Sequence, residues 1–187
     1  DPNRLLVYNN GGFIESAQSW GLDQAPSRGR TPLWLDWNND GLLDVIFANL
    51  RRSDGQAPTS IFTQTDGVFI DDTISLGFDS DQSNTFTQLM YVSDNPKPLV
   101  LIHSKWPFPD RVFDINTIPF TNVQESIGLP AVGAVSDCVS GDFDGDLETE
   151  LYLARLDTPS AVAQTDTNEI RAKIKGHAGT VLGYSFE

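Results

Sequence analysis

Asp36, Asn38, Asp40 and Asp44 stand at positions 1, 3, 5 and 9 of the run D-W-N-N-D-G-L-L-D, with Gly41 at position 6. Alternate residues of a tight loop can turn their side chains inward together, so this spacing gathers hard oxygen donors around one point. Ca²⁺ takes about six to eight such donors and tolerates irregular geometry. The backbone carbonyl of Leu42 would supply position 7, and Gly41 permits a positive φ that a side chain resists. A looser copy, D-F-D-G-D-L-E-T-E, offers Asp142, Asp144, Asp146 and Glu150, with the carbonyl of Glu148. It has Leu147 at position 6 and a longer Glu at position 9, so the first run is the closer match. An acidic β-turn without metal is the alternative for either run.

An EF-hand would need a bidentate Glu at position 12 and a helix on each side. Position 12 is Phe47 in the first run and Leu153 in the second, and residues 32–35 and 45–50 around the first run are strand-like. Both requirements fail, so the loops belong to a β-structure.

The elements that must position these loops repeat along the chain. Phe13, Phe69 and Phe120 each precede a G-L or G-F step, at Gly21-Leu22, Gly77-Phe78 and Gly128-Leu129. The spacings are 56 and 51 residues, while Asp36 and Asp142 lie 106 apart, twice a period of about 53. Within each unit the pattern is of short strands. Leu5-Leu6-Val7-Tyr8 and Phe13-Ile14 flank an N-N-G-G turn, and Ile61-Phe62-Thr63-Gln64 and Val68-Phe69-Ile70 flank T-D-G, so both read as hairpins. Residues 15–22 have room for one helical turn. Where a third metal loop would fall, residues 89–96 read L-M-Y-V-S-D-N-P, and Asp94 and Asn95 are expected to form a turn. Residues 170–174 and 180–186 read as two further strands.

A period of about 50 residues in four short strands is the size of a β-propeller blade, and a β-solenoid uses shorter periods. The expected fold is all-β: about 3.5 four-stranded units, a partial propeller or a fragment of a larger one. They form one segment over 1–187, with approximate units 1–30 (partial), 31–80, 81–130 and 131–187.

Composition narrows the function. The 187 residues carry a net charge of −14, and 39% are hydrophobic. Such a chain buries a core, and its field repels nucleic acid. No run approaches the ~20 apolar residues of a membrane span. The start, Asp1-Pro2-Asn3, has neither Met nor a signal-like apolar run, so a processed or excised segment is expected. Cys138 is the single cysteine, which rules out an internal disulfide, and its strand-like setting predicts a small buried residue.

The runs at 36–45 and 141–151, with the stretch from Asn3 that ends N-N-G-G-F, resemble the FG-GAP/VCBS repeats of integrin-α-type β-propellers. The likeness extends to about Arg155. It implies blades that carry Ca²⁺ in the turn between their first two strands. It also implies an extracellular, cell-surface or periplasmic module that binds proteins or glycans. The middle unit without a metal loop, and Leu147, depart from that pattern.

Nothing in the sequence assembles a catalytic centre. His103 ends a buried strand and His177 lies in a turn, each read as a surface or turn residue rather than a catalytic base, and G-x-S-x-G, H-E-x-x-H and P-loop motifs are missing. Trp106, between Lys105 and Pro107-Phe108-Pro109, is the candidate contact for a partner, because an exposed aromatic suits sugar rings and protein hot spots alike. Trp34 and Trp37 are expected to pack inside a blade. The expected function is a calcium-stabilised extracellular adhesion or binding module for a protein or carbohydrate ligand, not an enzyme. Alternatives are an assembly subunit of a larger cell-surface complex, with other chains or further blades completing the ring, and a calcium-dependent glycan-processing enzyme.

Overall fold

The computed structural model describes residues 2–24, 27–50, 52, 54, 58–78, 82–92, 95–105, 108–129, 135–145, 149–155, 169–171 and 182–183. Among them the chain is all-β apart from one four-residue helix and the turns. Trp106, His177, Asp94, Asp146 and Glu148 lie outside the described residues.

The hairpin β1 (Leu6–Asn9) and β2 (Gly12–Glu15) forms a two-stranded sheet, and α1 (Ala17–Trp20) follows it. The next sheet is β3 (Gly29–Leu35), β4 (Asp44–Asn49), β5 (Ser60–Thr65) and β6 (Val68–Asp71). A third contains β7 (Asn84–Met90), β8 (Leu99–Ser104), β9 (Arg111–Asp114) and β10 (Thr121–Asn122). The fourth contains β11 (Val135–Gly141), β12 (Glu150–Arg155), β13 (Glu169–Arg171) and β14 (Leu182–Gly183). In each four-stranded sheet the spatial order is the chain order. The registered strand pairs are antiparallel. Such a meander follows from short connections, which leave each strand beside its predecessor.

The repeat seen in the sequence is structural. After β2, β6 and β10 the chain makes the same helical turn. Leu22, Phe78 and Leu129 donate N–H bonds to the carbonyls of Ala17, Thr73 and Gln124, at 2.8, 2.9 and 3.1 Å. The glycine before each has a left-handed φ: 79° at Gly21, 69° at Gly77 and 72° at Gly128. A left-handed residue ends a helical turn by bonding its last carbonyls, and glycine adopts it without a Cβ penalty. The turn delivers Leu22, Phe78 and Leu129 into buried positions.

The described residues group into two compact units, 1–84 and 85–187. In the first, Ala17, Leu22, Val45, Phe62 and Phe69 form the core, with Leu5, Trp20 and Phe47 packed on it. In the second, Phe86, Met90, Leu99, Leu101, Val112, Leu129 and Leu151 do so, with Cys138 packed against them. Cys138 is therefore at the edge of a core and partly buried, less enclosed than its strand setting predicts. Among the described residues no helix is long and apolar enough to cross a membrane.

Candidate metal centre

Both acidic loops join the first and second strands of their sheets. The last strand pair before the first loop is Leu35↔Asp44, and before the second it is Gly141↔Glu150. Each loop is closed by a carboxylate at the start of the second strand. Asp44 Oδ2 accepts the N–H of Trp37 at 3.0 Å, and Glu150 Oε2 accepts that of Phe143 at 2.7 Å. Both bonds span seven residues, so the two loops are structural equivalents.

Their remaining bonds differ. In the first loop the half-buried Asp36 accepts N–H bonds from Asp40 at 3.1 Å and Gly41 at 2.9 Å. Asp40 accepts from Leu42 N at 2.8 Å and from Asn38 Nδ2 at 2.8 Å. The fully buried Asp44 uses its second oxygen on the N–H of Gln64, at 2.8 Å. Burial pushes the Asp44 carboxyl above its ordinary pKa; the N–H groups of Gln64 and Trp37 pull it down, and the charges of Asp40 and Asp36 push it up. Leu42, the expected carbonyl donor, is an exposed loop residue.

In the second loop Asp142 Oδ1 accepts the N–H of Gly145 at 2.7 Å. Oxygens of Asp142, Asp144 and Glu150 lie within 4.8 Å of one another, the one group of three Asp, Glu, His or Cys among the described residues with that geometry. Asp142 and Asp144 are exposed, and Glu150 is only 2% exposed. Its Oε1 has no hydrogen-bond partner among the described residues. A buried carboxylate oxygen left unmatched costs about 1–3 kcal/mol or more, and a cation is the partner that a carboxylate cluster would take. Hard oxygen donors of this kind suit Ca²⁺.

The structure thus brings together Asp142, Asp144 and Glu150 of the predicted ligands in the second run. In the first run it places Asp36, Asn38 and Asp40 in one bonded loop, with Asp44 turned to backbone donors. The residue after the first carboxylate also diverges. Trp37 is 8% exposed and donates its indole N–H to Thr63 Oγ1 at 3.0 Å. Phe143, at the same place in the second loop, is 52% exposed. Trp34, expected inside the sheet packing, is 39% exposed and meets Phe69 edge to face at 6.0 Å.

His103 corrects an expectation. It is 1% exposed rather than at the surface or in a turn. Its Nδ1 lies 3.2 Å from Asp110 Oδ2, and its ring centroid is 3.9 Å from that of Phe86. Asp110 in turn accepts the N–H of Ser104 at 2.9 Å. The sequence signal for this pair was the hairpin itself: Ile102↔Arg111 is the last registered pair of β8 and β9, so His103 and Asp110 face each other next.

No protein-family model matches the chain, and no curated protein matches it.

Proposed function

We propose that this protein is a calcium-stabilised binding module, not an enzyme, whose four-stranded sheets are blades of a β-propeller and whose partner is a protein or glycan outside the cell. The observation that carries the reading is Glu150, whose buried Oε1 has no hydrogen-bond partner among the described residues and whose carboxylate has an oxygen within 4.8 Å of oxygens of the exposed Asp142 and Asp144. The blade reading draws on the repeated helical turn and on the three meanders of equal strand number. In it, β1 and β2 are the outer strands of a blade, because the same turn follows them as follows β5 and β6. The extracellular reading rests on the family resemblance.

The cation's role is structural. Three carboxylates repel one another in its absence, and binding converts that repulsion into coordination coupled to folding. Thermal melts of the full chain in Ca²⁺ and in EDTA test this. Free Ca²⁺ at roughly a hundred times Kd should add about 2.7 kcal/mol of stability and raise Tm. Superimposable curves would remove the claim.

A further inference from the structure

We propose that the second acidic loop is also a binding site for a neutral saccharide, whose hydroxyls complete the coordination of the cation while its apolar face stacks on Phe143. This rests on the cation reading above. Among the described residues Asp142, Asp144 and Glu150 supply three side-chain groups, and Ca²⁺ takes about six to eight oxygens, so hydroxyl oxygens of a ligand have the right hardness to share its coordination. Two of the three carboxylates are exposed, which puts the cation within reach of a ligand.

Phe143 is built as a platform. A Cβ on Gly141 would stand 3.2 Å from Phe143 Cε1 and 3.5 Å from Cζ. The ring therefore lies against the backbone of Gly141, where a side chain would push it off by a few tenths of an ångström. Gly141 is the cross-strand partner of Glu150, so the ring is seated beside the metal cluster. The rest of the ring is open, with the residue 52% exposed. Alternation along β11 puts Val139 on the same face, and it too is exposed, at 50%. Its cross-strand partner is Tyr152. An apolar ring fixed next to a cation matches a pyranose, which carries hydroxyls on its rim and C–H groups on its faces. The first loop lacks this platform, since Trp37 is buried and tied to Thr63.

Charge selects the ligand class. One divalent ion does not neutralise three carboxylates, and the chain as a whole carries −14. An acidic peptide would meet a repulsive field, whereas an uncharged sugar would not.

The test uses the full chain on an array of neutral oligosaccharides, in Ca²⁺ and in EDTA, with a polyglutamate peptide as the acidic competitor. Calorimetric Ca²⁺ titration runs in parallel. The expected result is sugar binding in Ca²⁺, its loss in EDTA, and roughly tenfold weaker binding by Phe143→Ala with Ca²⁺ affinity kept. Val139→Ser should weaken sugar binding in the same sense. Ca²⁺ binding by a wild-type chain that retains no neutral sugar would overturn the inference and leave the cation site standing. Preference for polyglutamate, or full sugar binding by Phe143→Ala, would also overturn it. Absence of Ca²⁺ binding would remove both readings.

Discussion

Phe143 donates its backbone N–H to Glu150 Oε2 at 2.7 Å and so closes the second acidic loop across its mouth. Trp37 and Asp44 make the same bond in the first loop, at 3.0 Å. The two closures part at the second oxygen. Asp44 gives it to Gln64, and Glu150 holds it buried without a hydrogen-bond partner among the described residues. The Asp44 carboxylate is satisfied by its own sheet, and that of Glu150 has a buried acceptor to spare among the described residues.

Glu150→Gln should change sign with the metal. Glutamine keeps a carbonyl for the N–H of Phe143 and removes a buried negative charge. In EDTA the variant should be at least as stable as wild type, because a buried carboxylate without its counter-ion is costly. In Ca²⁺ it should be less stable. Urea unfolding in both buffers measures the crossover, and a variant weaker than wild type in EDTA would contradict it.

Asp44→Asn should destabilise in either buffer. Asp44 accepts from two backbone donors, Trp37 and Gln64. Asparagine has one acceptor oxygen, so its amide group must face the other N–H. A loss of about 1–3 kcal/mol, indifferent to Ca²⁺, is expected from denaturant titration. A loss confined to Ca²⁺ buffer would instead make Asp44 a metal ligand.

Gly21→Ala and Gly128→Ala share one backbone penalty and differ in sterics. Both positions have a left-handed φ, at 79° and 72°, which costs a side chain about 1–2 kcal/mol. A Cβ at Gly21 would also stand 2.7 Å from the carbonyl oxygen of Phe69, whereas Gly128 has open space. The Gly21 variant should therefore show the larger drop in Tm. Equal drops would argue against that close approach.

Glu15 predicts a pH dependence. Its Oε1 accepts N–H bonds from Ala17 at 2.8 Å and Leu5 at 3.2 Å, and these bonds, that from Ala17 foremost, hold its carboxyl below the ordinary value. The unfolded chain lacks them, so the ionised form stabilises the fold above the ordinary Glu value of about 4.3. That stabilisation is lost as pH falls through the lower, folded value. Glu15→Gln should cost stability near neutral pH, and the gap from wild type should close in acid. A gap that is constant with pH would show that Glu15 acts by packing alone.

Local features were legible in the sequence because local physics sets them. The N-N-G-G and T-D-G turns gave β1–β2 and β5–β6, since Asn10 and Asp66 take left-handed φ values of 47° and 51°, which short polar side chains tolerate. The recurring G-L and G-F steps marked the repeat, but a helical turn was legible only over residues 15–22; the matching turns that end at Phe78 and Leu129 emerged with the fold. The acidic spacing found both loops. It ranked the first above the second, because spacing counts donors and does not reveal which of them the fold has already used. That depends on Gln64, twenty residues beyond Asp44 and on another strand. His103 was misplaced for a similar reason: its burial comes from Asp110 across the hairpin and from Phe86 on β7, neither of them a sequence neighbour. Phe143 stands where Trp37 stands in the first loop, yet it is 52% exposed while Trp37 is 8% exposed and bonded to Thr63, a contrast that lies in contacts on another strand and not in the loop sequence.

The most direct measurement is calorimetric titration of Ca²⁺ into the full chain, beside Glu150→Gln and Asp36→Ala. The account predicts a saturable site in the wild type that Asp36→Ala preserves and Glu150→Gln weakens by at least about tenfold, the loss of a charged ligand being worth some 1.4 kcal/mol or more. A site lost in Asp36→Ala and kept in Glu150→Gln, or no saturable binding at all, would contradict it.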